Sequence, residues 1–380
     1  MLYLDNCATT PIHPQVLKVM TDVLEKHFGN PSSLHKIGLE AERLLRRSRQ
    51  IAASTLGVGE NEIIFTSGGT EGDNLAIKGT AFAYQNRGQH IITTKIEHPA
   101  VIAACRQLEN MGFSVTYLEV NNWGLININE LVNSIRNDTI LVSVMHVNNE
   151  VGSIQPLDKI GRILRNYPKI IFHADGVQGF AKVPLKLKDW GVDIYTISGH
   201  KINGPKGVGA VYVRDGVKPI PLLAGGGQEG GLRSGTENLP GIVGFAKSCQ
   251  IAREIFVENG GKIIQLRKKC INLLRQNIQE IIINSPEDKG SPYILNVSIP
   301  GLKGEVLVHA LEEQGVFVST GSACSSKKDF TSPVLNAMGI DRNISSGSIR
   351  VSFSYDTEEN HIDYFVKSLG KVYSELKNVG

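Results

Sequence analysis

The sequence predicts an α/β protein: a large domain built on a mostly parallel sheet flanked by helices, then a smaller α+β C-terminal domain. Two observations predict this fold. Between residues 60 and 215, apolar runs of strand length alternate with segments of helical periodicity, which is typical of βαβ units. Beyond residue 242, a long amphipathic stretch leads into further strand-like runs and helices.

Composition bounds the class of protein. A chain of 380 residues, 41% of them hydrophobic, is long enough for two domains. A net charge of +3 with scattered lysines and arginines argues against direct nucleic-acid binding, and no apolar run is long enough to span a membrane. Five cysteines without a CxxC pair fit neither a disulfide framework nor a zinc site and indicate a reducing compartment. We therefore expect a cytoplasmic protein with no resident metal and no membrane contact.

The large domain is predicted over residues 14–256, after an N-terminal arm, 1–13, that associates with the small domain. After two helices, the segments 62–82 and 90–108 each predict a strand, a turn and a helix. Further strands are predicted at 114–120, at 140–152 with its end at Asn149, and in the runs KIIFHAD, DIYTIS and AVYV.

The small domain is predicted over residues 257–380. The helical stretch 242–282 leads into it, and the glycine pair at 260–261 predicts a break in that stretch. The runs YILNVSIP, VFVSTG and SIRVSFS predict strands, and helices are expected near 304–314, 331–338 and 357–376.

An acid and an amine follow two of the predicted strands. KIIFHADGVQ ends its strand at Asp175, and DIYTISGHK ends in Lys201. A lysine just past a strand end, where burial can lower its pKa, is suited to forming a Schiff base with a carbonyl compound. An aspartate on the neighbouring strand end can pair with the pyridinium nitrogen of pyridoxal phosphate, PLP. Either residue alone would more often be a solvated loop residue, but together they predict PLP as the cofactor.

Several residues near these strand ends could hold a phosphate. Ser198 and His200 carry donors beside the lysine, and Gly69 and Thr70 lie where a glycine turn opens a helix whose first amides form an anion site. No lysine follows as a nucleotide P-loop requires, so a phosphate smaller than ATP is favoured. The alternative is an ordinary strand-to-helix turn with Thr70 as its N-cap.

Two further segments carry candidate residues. His98 follows the strand of 90–108 and suits acid/base work or ring stacking, although a lone histidine is more often structural. The glycine-dense loop 222–238 contains Arg233, Ser234 and Thr236, which predict an anion clasp that reaches a second subunit's phosphate. A flexible linker is the alternative for this loop.

A cysteine and an arginine in the C-terminal part complete the candidates. Cys324 lies in GVFVSTGSACSSKKDF, among small polar residues and ahead of two lysines, and is therefore a candidate nucleophilic thiol rather than a core cysteine, with a stray surface cysteine as the alternative. Arg350, inside the strand SIRVSFS, suits bidentate binding of a substrate α-carboxylate, with a structural salt bridge to a nearby Glu as the alternative.

These motifs resemble those of cysteine desulfurases of the NifS/IscS type, in the class V aminotransferase group of fold-type-I PLP enzymes. The likeness covers essentially the whole chain and includes YLDNCATTP, FGNPSSLH, FTSGGTEGDN, EHPAV, HVNNEVG, HADGVQ, SGHKINGPKG, GGGQEGGLRSGTEN and STGSACSS. It implies that Lys201 carries PLP, Asp175 pairs with the ring nitrogen, Gln178 bonds the ring hydroxyl oxygen and His98 stacks on the ring. It further implies that the phosphate is bound by Gly69, Thr70, Ser198, His200 and the partner subunit's Thr236. The substrate carboxylate would be oriented by Asn149 and Arg350.

The resemblance also implies an activity. L-Cysteine would lose its sulfur to Cys324, which becomes a persulfide, and L-alanine would leave. A homodimer would pass the sulfur to an acceptor protein for iron–sulfur cluster assembly, tRNA thiolation or a thio-cofactor, with Cys324 a transient iron–sulfur ligand. A selenocysteine lyase, a class V aminotransferase that does not need Cys324, and a silent interaction platform are the alternatives.

Overall fold

The computed structural model describes residues 1–321 and 332–379. Its strands are β1 Leu2–Tyr3, β2 Ile63–Thr66, β3 His90–Thr94, β4 Ser114–Leu118, β5 Thr139–Ser143, β6 Ile171–Asp175, β7 Ile194–Ser198, β8 Gly209–Val213, β9 Ile282–Ile283, β10 Ile294–Ser298, β11 Val316–Phe317 and β12 Ser348–Ser352. Its helices are α1 Pro14–Lys26, α2 Lys36–Leu56, α3 Gly69–Asn74, α4 Thr80–Tyr84, α5 Pro99–Glu109, α6 Ile128–Ser134, α7 Leu157–Leu164, α8 Leu187–Trp190, α9 Leu239–Asn277, α10 Gly304–Glu313, α11 Pro333–Ala337, α12 Arg342–Ser345 and α13 Glu359–Val379.

Seven strands form the central sheet in the order β2-β8-β7-β6-β5-β3-β4. Every neighbouring pair from β7 to β4 is parallel, and β8 runs antiparallel to both of its neighbours. The prediction of a mostly parallel sheet is confirmed. Because β3, β5, β6 and β7 run in the same direction, their carboxyl ends lie at the same edge of the sheet.

Both faces of this sheet are buried, because successive side chains of each strand point to opposite sides. The side chains on one face of the sheet pack in a core shared with α2 and α9. On the strands, these are Phe65, Ile92, Val142 and Phe172. Their preceding neighbours face a second core shared with α5, namely Ile64, Ile91, Leu141 and Ile171. This explains why the strands are continuous apolar runs in the sequence.

A third core lies between β12-β10-β9, an antiparallel sheet, and the helices α10, α13 and the second half of α9. The first residues of the chain belong to this core: β1 pairs in parallel with β11, and Leu4 and Cys7 are buried there. These contacts support the predicted N-terminal arm, 1–13, and a boundary near residue 256, both of which remain predictions.

Two predictions about elements are wrong. β5 ends at Ser143 rather than at Asn149, because Met145 N donates to the Glu97 carboxyl group instead of to a neighbouring strand, and Met145 and Val151 pack against α11. One edge of the chain still donates to β6 as far as His146. The glycine pair 260–261 does not break α9, which is one helix of 39 residues. Each glycine costs a helix about 1 kcal/mol relative to alanine, and burial of both halves of α9 in separate cores offsets that cost.

In the part of the chain that the structure describes, no helix is both long enough and apolar enough to cross a membrane.

Candidate active site

One cavity of about 860 Å³ opens at the carboxyl edge of the central sheet. Ten of the residues that the sequence singles out line it: Gly69, Thr70, His98, Asn149, Asp175, Gln178, Ser198, His200, Lys201 and Arg350. They come from strand ends far apart in the sequence and from β12 of the small domain. Residues from the central sheet and from the antiparallel sheet of β12 therefore form this cavity.

Lys201 is held at the cavity by the N-terminal arm. It lies in a short helical turn, Gly199–Lys201, directly after β7. Its Nζ donates to the backbone carbonyls of Cys7 at 2.6 Å and Ala8 at 2.8 Å. The amine therefore lies among backbone oxygens at the cavity wall.

Asp175 ends β6, beside β7, and its carboxyl group is buried. Its Oδ1 accepts a hydrogen bond from the backbone N–H of Val177 at 2.9 Å. Burial raises the pKa of Asp175, while the nearby His98 and Lys201 oppose that rise. A cationic ring N–H placed in the cavity would stabilise the ionised carboxylate, which fits the predicted pyridinium partner.

Four further carboxyl groups line the cavity, those of Asp73, Glu97, Glu109 and Glu150, and the sequence alone pointed to none of them. Burial raises the pKa of Glu97 to about 8, and burial followed by the charge of Asp175 raises the pKa of Asp73. Glu97 Oε1 accepts from Thr94 Oγ1 at 2.8 Å and from Met145 N at 2.9 Å. Glu97 Oε2 and Asp73 Oδ1 are buried without a hydrogen-bond partner in the described residues. Glu97 is therefore protonated at neutral pH, and its Oε2 carries the proton.

His98 caps the N-terminus of α5, where its Nδ1 accepts from the backbone N–H of Ala100 at 3.1 Å. Burial lowers the pKa of His98, so the ring is neutral near neutral pH. Because Nδ1 is the acceptor in this bond, the neutral ring carries its proton on Nε2. The cap thus fixes both the position and the tautomer of the ring.

Four of the predicted phosphate ligands, Gly69, Thr70, Ser198 and His200, line the cavity. A helical segment begins at Gly69 and continues to Tyr84 through a π-helical stretch, so its first amides have no partners within the helix. A Cβ at Gly69 would lie 2.8 Å from Val177 Cγ2, so only glycine fits. His200 Nδ1 lies 3.2 Å from Thr9 Oγ1, and burial, followed by nearby lysines, lowers the pKa of His200 to about 4. His200 is therefore a neutral side chain here.

Arg350 reaches the cavity from β12 and is almost fully buried. Its Nη2 donates to Asp5 Oδ1 at 2.8 Å and its Nη1 to the backbone oxygen of Asn149 at 3.0 Å. Its Nε is buried without a partner among residues 1–321 and 332–379. The ion pair is with an aspartate rather than with the glutamate considered from the sequence, and Nε remains available to a ligand.

The remaining candidates lie elsewhere. Thr236 is exposed and does not line the cavity. Arg233 Nε donates to Glu71 Oε1 at 2.9 Å, so within one subunit this arginine pairs with a carboxylate. Glu229, in the same glycine-dense loop, forms a bidentate ion pair with Arg49 and accepts from Phe65 N at 2.8 Å. Cys324 lies outside the described residues.

The family and relatives of this chain agree with the fold and the cavity. The Aminotransferase class-V family model matches residues 2–365. The chain therefore belongs to this family of enzymes. The comparison also places it among the cysteine desulfurases. It is 43% identical to the cysteine desulfurase IscS of Methanosarcina thermophila over 378 residues, which is 100% of this chain and 93% of that protein.

Other relatives and solved structures are similar. The cysteine desulfurase IscS of Dictyoglomus turgidum is 40% identical, covering 100% of this chain and 96% of that protein. A NifS-like protein of known structure superposes with a TM-score of 0.93 at 40% identity, covering 98% of this chain and 99% of its own. The structure of SspA in complex with cysteine superposes with a TM-score of 0.81 at 35% identity, over 93% of this chain and 99% of that one.

Proposed function

We propose that this chain is a PLP-dependent cysteine desulfurase that removes sulfur from L-cysteine and releases L-alanine. The observation that carries the proposal is the convergence of Lys201, Asp175 and Arg350 on one cavity. An amine for a carbonyl cofactor, an acid for its ring nitrogen and a cation for an amino-acid carboxylate are the groups that such a reaction needs.

The residues that line the cavity fit PLP. Lys201 would hold it covalently, the buried carboxyl group of Asp175 would pair with its ring nitrogen, and Gln178 would bond its ring oxygen. Gly69, Thr70, Ser198 and His200 would hold the phosphate, together with Thr236 of the partner subunit. Bound PLP supplies an electron-withdrawing ring that activates the bonds of the substrate α-carbon.

Arg350 and the groups around it orient the substrate. Its guanidinium binds the α-carboxylate, with Asn149 beside it, because a planar cation matches a carboxylate in a bidentate manner and three of its five N–H donors are not used by Asp5 and Asn149. Lys201 Nζ and His98 Nε2 transfer protons, since both side chains line the same cavity. Burial keeps His98 neutral, so its Nε2–H can act as a hydrogen-bond donor.

Cys324 is the proposed sulfur acceptor. Its thiolate attacks the substrate sulfur, a new S–S bond forms, and the carbon–sulfur bond breaks with its electron pair left on the carbon. That carbon takes up protons, so L-cysteine and one thiol yield L-alanine and one persulfide. Among the described residues, the cysteines Cys7, Cys105, Cys249 and Cys270 are free and buried, which supports Cys324 as the reactive thiol and a reducing cytoplasmic location.

A homodimer is part of the proposal. Phe28 and Leu34 are 76% and 93% exposed, and Leu223 lies exposed in the loop segment that leads to Thr236. A second copy covering these apolar side chains would explain both their exposure and the absence of Thr236 from its own cavity lining. The persulfide then passes to an acceptor protein of iron–sulfur assembly or thiolation.

Incubation with L-cysteine and a reductant, with alanine and sulfide measured together, tests this function. We expect equal amounts of both products, and no sulfide from a Cys324→Ser variant. Turnover to a keto acid in that variant would instead identify an aminotransferase. Alanine formation from L-selenocysteine and from L-cysteine at equal concentrations distinguishes a selenocysteine lyase from a cysteine desulfurase. A protein that does not bind PLP would instead be an interaction platform.

A further inference from the structure

Lys182 and Gln178 form a hydrogen-bonded pair behind the cavity wall. Lys182 Nζ donates to Gln178 Oε1 at 3.0 Å, and Gln178 Nε2 donates to the backbone oxygen of Cys7 at 3.0 Å. The same Cys7 oxygen accepts from Lys201 Nζ. The cofactor lysine and the glutamine are therefore joined through one backbone carbonyl, and Lys182 lies at the far end of this chain of bonds.

These partners fix which way round the Gln178 amide lies. An ammonium group can only donate and a backbone carbonyl can only accept, so the amide oxygen must face Lys182 and the nitrogen must face Cys7. The reversed amide would place its N–H groups against the cation and its oxygen against the carbonyl oxygen. Because Gln178 is buried, both of those contacts would be left without solvent to relieve them.

The orientation decides what Gln178 offers to a ligand. Its amide nitrogen carries two hydrogens, and the bond to Cys7 uses one of them. Gln178 lines the cavity, so the second hydrogen remains for a group bound there. The side chain thus presents a donor, which suits an anionic oxygen, and not an acceptor.

We propose that Lys182 is a positioning residue that holds the Gln178 amide with its nitrogen toward the cavity, where it donates to the ring oxygen of PLP. This inference rests on the proposed function. Lys182 is half-buried, and burial lowers its pKa. Without Lys182, only the hydrogen bond to the Cys7 carbonyl opposes a turn of the amide, and the amide oxygen loses the cation that holds it away from the cavity.

The test measures the dissociation constant of PLP from the full-length protein after removal and return of the cofactor. Lys182→Met, which keeps side-chain length without a donor, should weaken PLP binding about tenfold, the size of one charge-assisted hydrogen bond. It should also move the absorption of the lysine-bound cofactor to shorter wavelength, since a ring oxygen that loses its donor holds its own proton. Lys182→Arg, which retains the cation, should restore affinity and spectrum to nearly those of the wild type.

A double-mutant cycle with Gln178→Leu separates positioning from simple charge attraction. If Lys182 acts through Gln178, adding Lys182→Met to Gln178→Leu weakens PLP binding no further. A full additional loss in that background, or wild-type affinity in the single Lys182→Met variant, overturns the inference. Wild-type protein that fails to bind PLP overturns the proposed function instead, so the two failures are distinguishable.

Discussion

Arg350 and Asp5 lie 345 positions apart in the sequence and form a partly buried ion pair, with Nη2 donating to Oδ1 at 2.8 Å. The arginine proposed to bind the substrate carboxylate is thus already held in place by an acid of the arm. A second donor, Nη1, is held by Asn149, and Nε is left for a ligand. The guanidinium is therefore fixed before substrate arrives.

Replacing Arg350 tests this arrangement. Lys cannot bond Asp5, Asn149 and a carboxylate in one plane, so Arg350→Lys should raise the KM for L-cysteine about tenfold or more. Steady-state kinetics of alanine formation measure it. Arg342→Lys, at an exposed position before the same strand, is the control and should leave KM unchanged. An unaltered KM in the Arg350 variant would contradict the assignment.

Lys201→Ala should abolish the absorption of a lysine-bound cofactor and slow alanine formation about 100-fold or more, since both covalent attachment and proton transfer are lost. Visible spectra and mass spectrometry after borohydride reduction measure the attachment. Lys206→Ala, five residues further on and exposed, is the matched control. Cofactor still fixed by reduction in the Lys201 variant would place the Schiff base elsewhere.

Glu97→Gln should change the pH dependence of stability. The folded protein keeps Glu97 protonated up to its pKa of about 8, whereas the unfolded chain releases that proton near an ordinary pKa of about 4.3. The unfolded state therefore binds fewer protons between these values, and native stability falls as pH rises through that window. Because glutamine does not titrate, the Glu97→Gln variant does not lose this stability as the pH rises.

Thermal unfolding of the cofactor-free Glu97 variant and wild type at about pH 5 and about pH 8 measures the effect. The Tm of the variant minus the Tm of the wild type should be larger at about pH 8 than at about pH 5. The increase should correspond to at least about 1 kcal/mol of unfolding free energy. A constant difference in Tm would mean that Glu97 is ionised in the folded protein.

Glu229→Gln should destabilise the protein by about 3 kcal/mol, because it leaves the half-buried Arg49 without its bidentate partner. Chemical or thermal unfolding measures this loss. Glu280→Gln removes the exposed ion pair with Lys377 and serves as the control, with an expected effect of less than about 1 kcal/mol. Equal effects from the two substitutions would contradict the buried role of Glu229.

The sheet and the residues at its edge were predictable because they depend on local pattern. Continuous apolar runs predict strands buried on both faces, and Asp175, Lys201 and His98 follow such runs directly. Their meeting in one cavity follows from the parallel arrangement of the strands. The pattern could not show where the apolar residues after β5 would pack, which is why that strand was predicted too long.

Other features depend on contacts that no local pattern encodes. Asp73 and Glu97 lie inside motifs that the sequence analysis quoted, but their burial beside Asp175 requires the folded sheet. The Asp5 partner of Arg350 comes from the other end of the chain. α9 continues through Gly260 and Gly261 because two separate cores hold its halves, a tertiary effect that overrides the local preference.

The N-terminal arm has a consequence for biosynthesis. The arm is translated more than 300 residues before its partners, since β1 pairs with β11 and Asn6 donates to the backbone oxygen of Ser352. Until that distant segment has been translated, the arm has its bonds to residues 200–203 but lacks its partners in β11 and at Ser352, which also hold the carbonyls of Cys7 and Ala8 beside Lys201. The complete lysine pocket therefore forms only after the chain has been translated past residue 352.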